Sequence, residues 1–365
     1  FCMTNCEFLA MQNWFFSFYF VVKIPFLFYF IFMKKKSLHV SYIIAVVLVL
    51  VIVSIFLFTN QGGKSEITLS ESTDFDKGEI KTAADGTKYI IEPSKIISGG
   101  PPKDGIPSID NPKFVSVEEA DQWIQDNELV LAIIYKDVKR VYPLQIMVWH
   151  EIVNDFIAGD PILITYCPLC GSGIAYERIL GGETVEFGTS GKLFNSNLVM
   201  YDRKTDTYWQ QIDGKAIVGE LTGQELKEIS IDTVVWRDWK KAHADSEVLS
   251  QNTGFNRNYG RDPYGSYQED SFLLFPIENQ DDRVHPKTVI FGVEINDKFK
   301  AYREDDLKET GVIEDEFSGI RIKLERDDVG IVKITNLDTG EEIVKERDFW
   351  FAWYAFHPDT ELYSR

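Results

Sequence analysis

The apolar positions of this chain fall into one long run followed by many short ones. Val40–Phe58 spans 19 residues without a charge and is rich in Val, Ile and Leu. At about 1.5 Å of rise per residue that length crosses a bilayer as a helix. Beyond it the apolar runs are short and broken by turn residues, which predicts strands. Leu129–Tyr135 and Lys139–Tyr142 read as strands around a turn at Lys136-Asp137. Pro161–Tyr166 reads as a strand, and Ile174–Arg178 with Thr184–Phe187 as a hairpin about Gly181-Gly182. Leu198–Asp202, Tyr208–Ile212 and Ala216–Gly219 continue the strand-rich pattern. Two helices interrupt it. Ser116-Val117-Glu118-Glu119 has capping-box spacing and opens one through about Asp126. Leu144 to Asn154, begun after Pro143, reads as the other. The segment from Ser94 to Asn111, with its prolines and glycines, predicts surface turns.

The long run sets the expected compartment. Lys34, Lys35 and Lys36 precede it, and basic residues favour the cytoplasmic side. Everything after Asn60 is then expected outside the cytoplasm, on a single-pass anchor; a cleaved signal segment is the rival reading. Residues 33–60 are assigned to this segment and 61–89 to a polar tether. Segment 1–32 holds ten of the chain's 26 Phe, and Met33 is read as the start of translation, with an extra apolar segment as the alternative.

The remainder, residues 90–365, contains an internal echo. Trp236-Arg237-Asp238-Trp239 is followed by His243, Asp245 and Glu247; Trp350-Phe351-Ala352-Trp353 is followed by His357, Asp359 and Glu361, at the same spacings. Val153-Asn154-Asp155-Phe156 likewise resembles Ile313-Glu314-Asp315-Glu316-Phe317. Two unequal pseudo-repeats, about 113–250 and 288–365, are expected to form one body. The predicted fold is therefore mainly β with short helices (α+β), after an N-terminal transmembrane helix.

Charge narrows the partners. The net charge is −19 at pH 7, which disfavours nucleic acid and anionic lipid surfaces as ligands. The expected membrane contact is the N-terminal helix alone.

Candidate chemistry centres on sulfur. Of four cysteines, Cys2 and Cys6 lie in segment 1–32, leaving Cys167 and Cys170 in Tyr166-Cys167-Pro168-Leu169-Cys170-Gly171. Two thiols at this spacing suit a metal knuckle, a dithiol redox pair or a structural pair. A four-cysteine site is excluded within one chain. The best mononuclear set is Cys167, Cys170 and His150, with Met200 or a carboxylate, suited to copper or zinc. A thioredoxin-type site wants a helix after the first cysteine, and Gly171-Ser172-Gly173 leads instead into a strand. His243 and His357, after paired tryptophans, suit helix C-termini; His285 precedes Pro286 in a loop. Glu151, Asn195, Asn197, Tyr201, Asp202, Arg203 and Gln210 form a polar-aromatic set that could line a pocket near the cysteines. Asp202 and Arg203 also fit an ordinary hairpin ion pair. Phe187-Gly188-Thr189-Ser190-Gly191-Lys192 lacks phosphate-loop spacing and reads as tight turns.

Several runs together resemble the domain-of-unknown-function family 3179. They are Gly99-Gly100-Pro101-Pro102-Lys103-Asp104-Gly105-Ile106-Pro107, Tyr142-Pro143-Leu144-Gln145-Ile146, Trp149-His150-Glu151-Ile152-Val153-Asn154-Asp155 and Thr165-Tyr166-Cys167-Pro168-Leu169-Cys170. Phe187-Gly188, Ser190-Gly191, Met200-Tyr201-Asp202-Arg203 and Trp209-Gln210-Gln211 complete the pattern. The resemblance covers about residues 90–365. It implies a prokaryotic protein, exported or membrane-anchored, and carries no reaction with it. The functional expectation is an extracytoplasmic protein with a Cys/His metal or thiol-redox site. The alternative is a non-catalytic binding or scaffolding module with a structural cysteine pair.

Overall fold

The computed structural model describes residues 79–364. Segment 1–32, the apolar run Val40–Phe58 and the lysines before it lie outside the described residues. Strands dominate, helices are short, and no helix among the described residues is long and apolar enough to cross a membrane.

Two sheet systems with similar strand order stand out among the described residues. In the first, strands run in the order Asp232–Val235, Leu129–Tyr135, Val138–Pro143, Glu247–Leu249 and Phe114–Ser116. In the second the order is Glu346–Phe349, Val289–Ile295, Lys298–Arg303 and Glu361–Leu362. Each central hairpin turns on two residues with positive φ: Lys136 and Asp137 at 47° and 66°, Asn296 and Asp297 at 55° and 57°. That backbone twist matches the twist of the paired strands. In each system the last strand joins the hairpin in parallel, Val248 beside Val141 and Leu362 beside Ala301.

The helices between these strands also correspond. Helix α1 is Val117–Ala120, and Ser116 caps it by accepting from the Glu119 amide at 3.2 Å. Helix α2, Leu144–His150, and helix α4, Glu304–Thr310, each follow the central hairpin. Helix α3, Trp236–Ala242, and helix α5, Trp350–Phe356, each follow the partner strand. The indole of Trp239 donates to Ser246 at 3.0 Å, that of Trp353 to Thr360 at 2.8 Å. His243 and His357 are the C-terminal caps of α3 and α5, with rings 4.3 and 4.2 Å from those tryptophans. The Tyr142 hydroxyl donates to Asp155 at 2.6 Å, and the Tyr302 hydroxyl to Asp315 at 2.8 Å.

A second sheet accompanies each system. Strands Glu228–Ile229, Ser172–Glu177, Asp160–Cys167 and Ile152–Ile157 form one; Val312–Phe317, Ile320–Arg326, Val332–Asn336 and Glu342–Ile343 form the other. The first system differs by what lies between Glu177 and Glu228. There the chain supplies Phe187–Phe194, Asn197–Asp202, Tyr208–Gln210 and Ala216–Val218 to a seven-stranded antiparallel sheet. Lys81–Thr82, Lys88–Tyr89 and Ile97–Ser98 complete that sheet, the first two from the end of the stretch read as tether.

Several boundaries differ from expectation. The second predicted helix stops at His150 rather than Asn154, because Glu151 turns with a φ of +59° and Ile152–Ile157 pairs with Asp160–Cys167. The first ends as a single helical stretch at Ala120, followed by turns. The hairpin about Gly181-Gly182 is confined to Ile179–Leu180 and Glu183–Thr184, while Ser172–Glu177 pairs with the cysteine strand. Thr189 to Lys192, expected as tight turns, is a bulge inside strand Phe187–Phe194, with Gly191 at φ +71°. At Ile152–Ile157 and at Thr189 to Lys192, strand pairing with the neighbouring strand overrode the local signal.

Residues after Leu249 and before Val289 form turns without a named strand or helix. Lys287, 5% exposed, holds this segment by donating to the carbonyls of Tyr267, Asp270 and Phe272. A buried ammonium surrounded by carbonyls keeps its hydrogen bonds without water.

Candidate functional site

Strand Asp160–Cys167 ends at the first cysteine, paired with Ser172 of the returning strand. The Cys170 amide donates to the Cys167 carbonyl at 3.1 Å, closing a tight turn. Gly171 continues with φ +65°, and a Cβ there would lie 2.8 Å from the Phe349 ring. Glycine meets both demands, the left-handed backbone and the close approach. The Phe349 amide then donates to the Cys170 carbonyl at 2.8 Å, tying this turn to the second sheet system.

The turn brings the two sulfurs to 3.2 Å, both as free thiols and both buried. The Ser196 carbonyl lies 3.5 Å from Cys170 Sγ, and the Asn197 amide donates to the same sulfur at 3.4 Å. Burial, then the Cys167 contact, pushes the Cys170 thiol well above its ordinary pKa. Cys167 faces a cleft of about 190 Å³. Leu169, Leu193, Leu198 and Phe275 supply apolar wall, and Glu151, Tyr264 and Lys192 are its ionisable members besides the thiol.

Glu151 enters the cleft because of where helix α2 ends. Its amide donates to the Met147 carbonyl at 2.7 Å, and its carbonyl accepts from Tyr166 at 2.8 Å. The backbone is thus fixed on both sides, one residue beyond the helix and beside the cysteine strand. The side chain is 6% exposed and its carboxyl meets the Tyr264 hydroxyl at 3.5 Å. Burial raises its pKa to about 8. The same burial, reinforced by Glu151, keeps the Tyr264 phenol protonated.

The other predicted residues serve different ends. His150 is fully buried; one ring nitrogen contacts the Pro107 carbonyl and the other the Tyr259 hydroxyl, each at 2.7 Å. Burial lowers its pKa. Met200 lies in strand Asn197–Asp202 opposite Thr189 and Trp209, in the apolar core that also contains the cysteines. Among the described residues, no three His, Cys, Asp or Glu side chains converge as a metal-holding group. Cys167, Cys170 and His150 thus do not form such a group in this arrangement.

Asn197 and Gln210 form a buried amide chain: Gln210 donates to Asn197 at 2.6 Å, and Asn197 donates to Gln211 at 2.7 Å. Asn195 ties the hairpin tip to the Ala355 carbonyl and the Glu278 amide. Tyr201 donates to Asp104 at 2.6 Å. Asp202 and Arg203 do not form the pair that the hairpin reading anticipated. Asp202 accepts from the Thr205 amide and the Trp209 indole, whereas Arg203 reaches Asp110, Glu186 and Ser108. Neither they nor Asn195, Asn197, Tyr201 or Gln210 line the cleft. Tyr264 and Phe275 were missed because they lie in a segment with no periodic signal, far along the chain.

The family model described as "Protein of unknown function (DUF3179)" matches residues 103–337. No curated protein and no solved structure matches the chain. The matched stretch holds the cysteine turn, Glu151, Lys192 and Tyr264 together, and the chain belongs to the DUF3179 family.

Proposed function

We propose that this protein is a membrane-anchored extracytoplasmic domain whose Cys167–Cys170 pair works as a dithiol–disulfide couple beside the cleft. The observation that carries this reading is the approach of two free sulfurs to 3.2 Å, with the first facing the cleft. The Cys167 thiolate would attack a partner disulfide, expelling one partner thiolate. Cys170, held protonated until then by burial, would attack Cys167 in the mixed disulfide and release the second partner thiolate. Two electrons pass to the partner disulfide, and the two thiol protons are released. An oxidising compartment, as expected from the apolar run Val40–Phe58, would supply such partners.

A structural thiol pair is the second reading. It is favoured by the burial of both sulfurs, 1% and 0% exposed, since buried thiols react slowly. Equilibration of the full chain with thiol–disulfide buffers, followed by alkylation and mass measurement, separates the two. The couple predicts a reversible two-electron transition that Cys167→Ser and Cys170→Ser each abolish. A pair that stays reduced and unalkylated across the whole series rejects the redox reading.

The correspondence of the two sheet systems, in strand order, turn geometry and tryptophan partners, supports descent from one duplicated unit. On that reading the seven-stranded sheet and the segment held by Lys287 elaborate the first copy. Position 151 in the first copy then matches Gly311 in the second.

A further inference from the structure

The residue after helix α2 is costly for its place. The corresponding helix α4 ends with the Gly311 amide donating to the Leu307 carbonyl, at φ +74°. Glycine takes that conformation without steric penalty, whereas a residue with a Cβ does not. Glu151 takes it at φ +59°. It also buries a carboxyl whose one close contact, Tyr264 at 3.5 Å, is long for a hydrogen bond. A local conformation and a burial that are both unfavourable, side by side on a cleft wall, are characteristic of sites shaped for a ligand.

We propose that the cleft binds a small molecule with a short apolar body and an acceptor oxygen, to which the Glu151 carboxyl donates a hydrogen bond. The cleft volume, about 190 Å³, equals roughly six water volumes, room for a ligand of a few heavy atoms. Leu169, Leu193 and Phe275 receive the apolar body. A carboxyl with a pKa of about 8 is protonated at neutral pH and donates. The titratable or charged groups sharing the cleft with it are Tyr264, Cys167 and Lys192. The acceptor oxygen belongs either to a neutral carbonyl or to a carboxylate whose charge meets Lys192. This inference holds whether or not the cysteines cycle.

Full-chain protein in nanodiscs, with thiols kept reduced, is titrated at millimolar concentration with short amides and the matching carboxylates, and binding is followed by ligand-observed NMR. The amides carry no titrating group of their own. Their binding is expected to saturate, and to weaken about tenfold per pH unit above about pH 8 as Glu151 ionises. Glu151→Gln still donates, so it retains binding at neutral pH and loses that weakening; this isolates the carboxyl from Cys167. Lys192→Met assigns the source. Loss of carboxylate binding with amide binding kept identifies an acid ligand, and amide binding with no effect on either series identifies a neutral carbonyl. Absence of saturable binding in both series overturns the proposal. So does a Glu151→Gln protein with the wild-type pH profile, or a folded Glu151→Gly protein that binds as tightly as wild type. Thiol redox behaviour is measured separately, so failure here leaves the reading of the cysteine pair untouched.

Discussion

Glu151 shows how one residue holds structural cost and chemistry together. Its carboxyl pKa rises from 4.5 to about 8 on folding because burial disfavours the charge. The sign of the stability effect follows. Between those values the folded protein binds the proton more tightly than the unfolded chain, so stability falls as pH rises through this window. Glu151→Gln removes the linkage. It should stabilise the protein at neutral pH by on the order of 2–3 kcal/mol, with the gain vanishing toward about pH 4. Urea unfolding across a pH series measures it; an equal effect at every pH would mean that the carboxyl is not the titrating group. Asp348 adds to the same slope. It is fully buried, lacks a good hydrogen-bond partner, and is pushed upward first by desolvation.

At the scale of elements, the tryptophan helices provide a matched pair of tests. In α3 and α5 a buried indole donates to a hydroxyl just beyond the helix, Ser246 in one and Thr360 in the other. Removing the hydroxyl leaves a buried N–H unpaired, which costs about 1–3 kcal/mol. Ser246→Ala and Thr360→Ala should therefore destabilise by similar amounts. Denaturant midpoints that differ by several-fold in the derived cost would show that the two elements carry unequal loads. The cysteine turn has no such twin. The matching place in the second system carries Arg326 and Asp327, so among the described residues the cysteines lie in the first system alone.

For the whole molecule, topology is the expectation with the widest consequence. The proposal that the apolar run Val40–Phe58 after Lys34–Lys36 anchors the domain outside the cytoplasm is tested directly. Protease added to spheroplasts should degrade the domain while a cytoplasmic marker survives. Full protection, with the apolar run still attached, would reverse the orientation and remove the oxidising surroundings that the redox reading assumes. The charge bears on the same proposal: a net charge of −19 repels anionic headgroups, so on that reading the membrane contact would be the proposed anchor.

Much of this arrangement is written locally. Leu129–Tyr135 and the turn Lys136-Asp137 are legible because a hydrophobic run and a two-residue turn are short-range facts. The Trp-x-x-Trp-x-x-x-His spacing is likewise a local pattern, and it coincides with two helices of equal length capped by histidine. The cysteine spacing is local as well, and it lies in the turn that brings the sulfurs together. The site as a whole is not local. Tyr264 reaches Glu151 across 113 positions, and Tyr259 reaches His150 across 109. No pattern within a helical or strand period encodes such contacts. Residue type alone therefore singled out Cys167 and Cys170. Only tertiary packing decided that His150 is engaged by Pro107 and Tyr259, and that Glu151, released from its helix by a left-handed turn, faces the cleft. The reason is that hydrogen-bond partners and burial are properties of neighbours in space, which chain order does not specify.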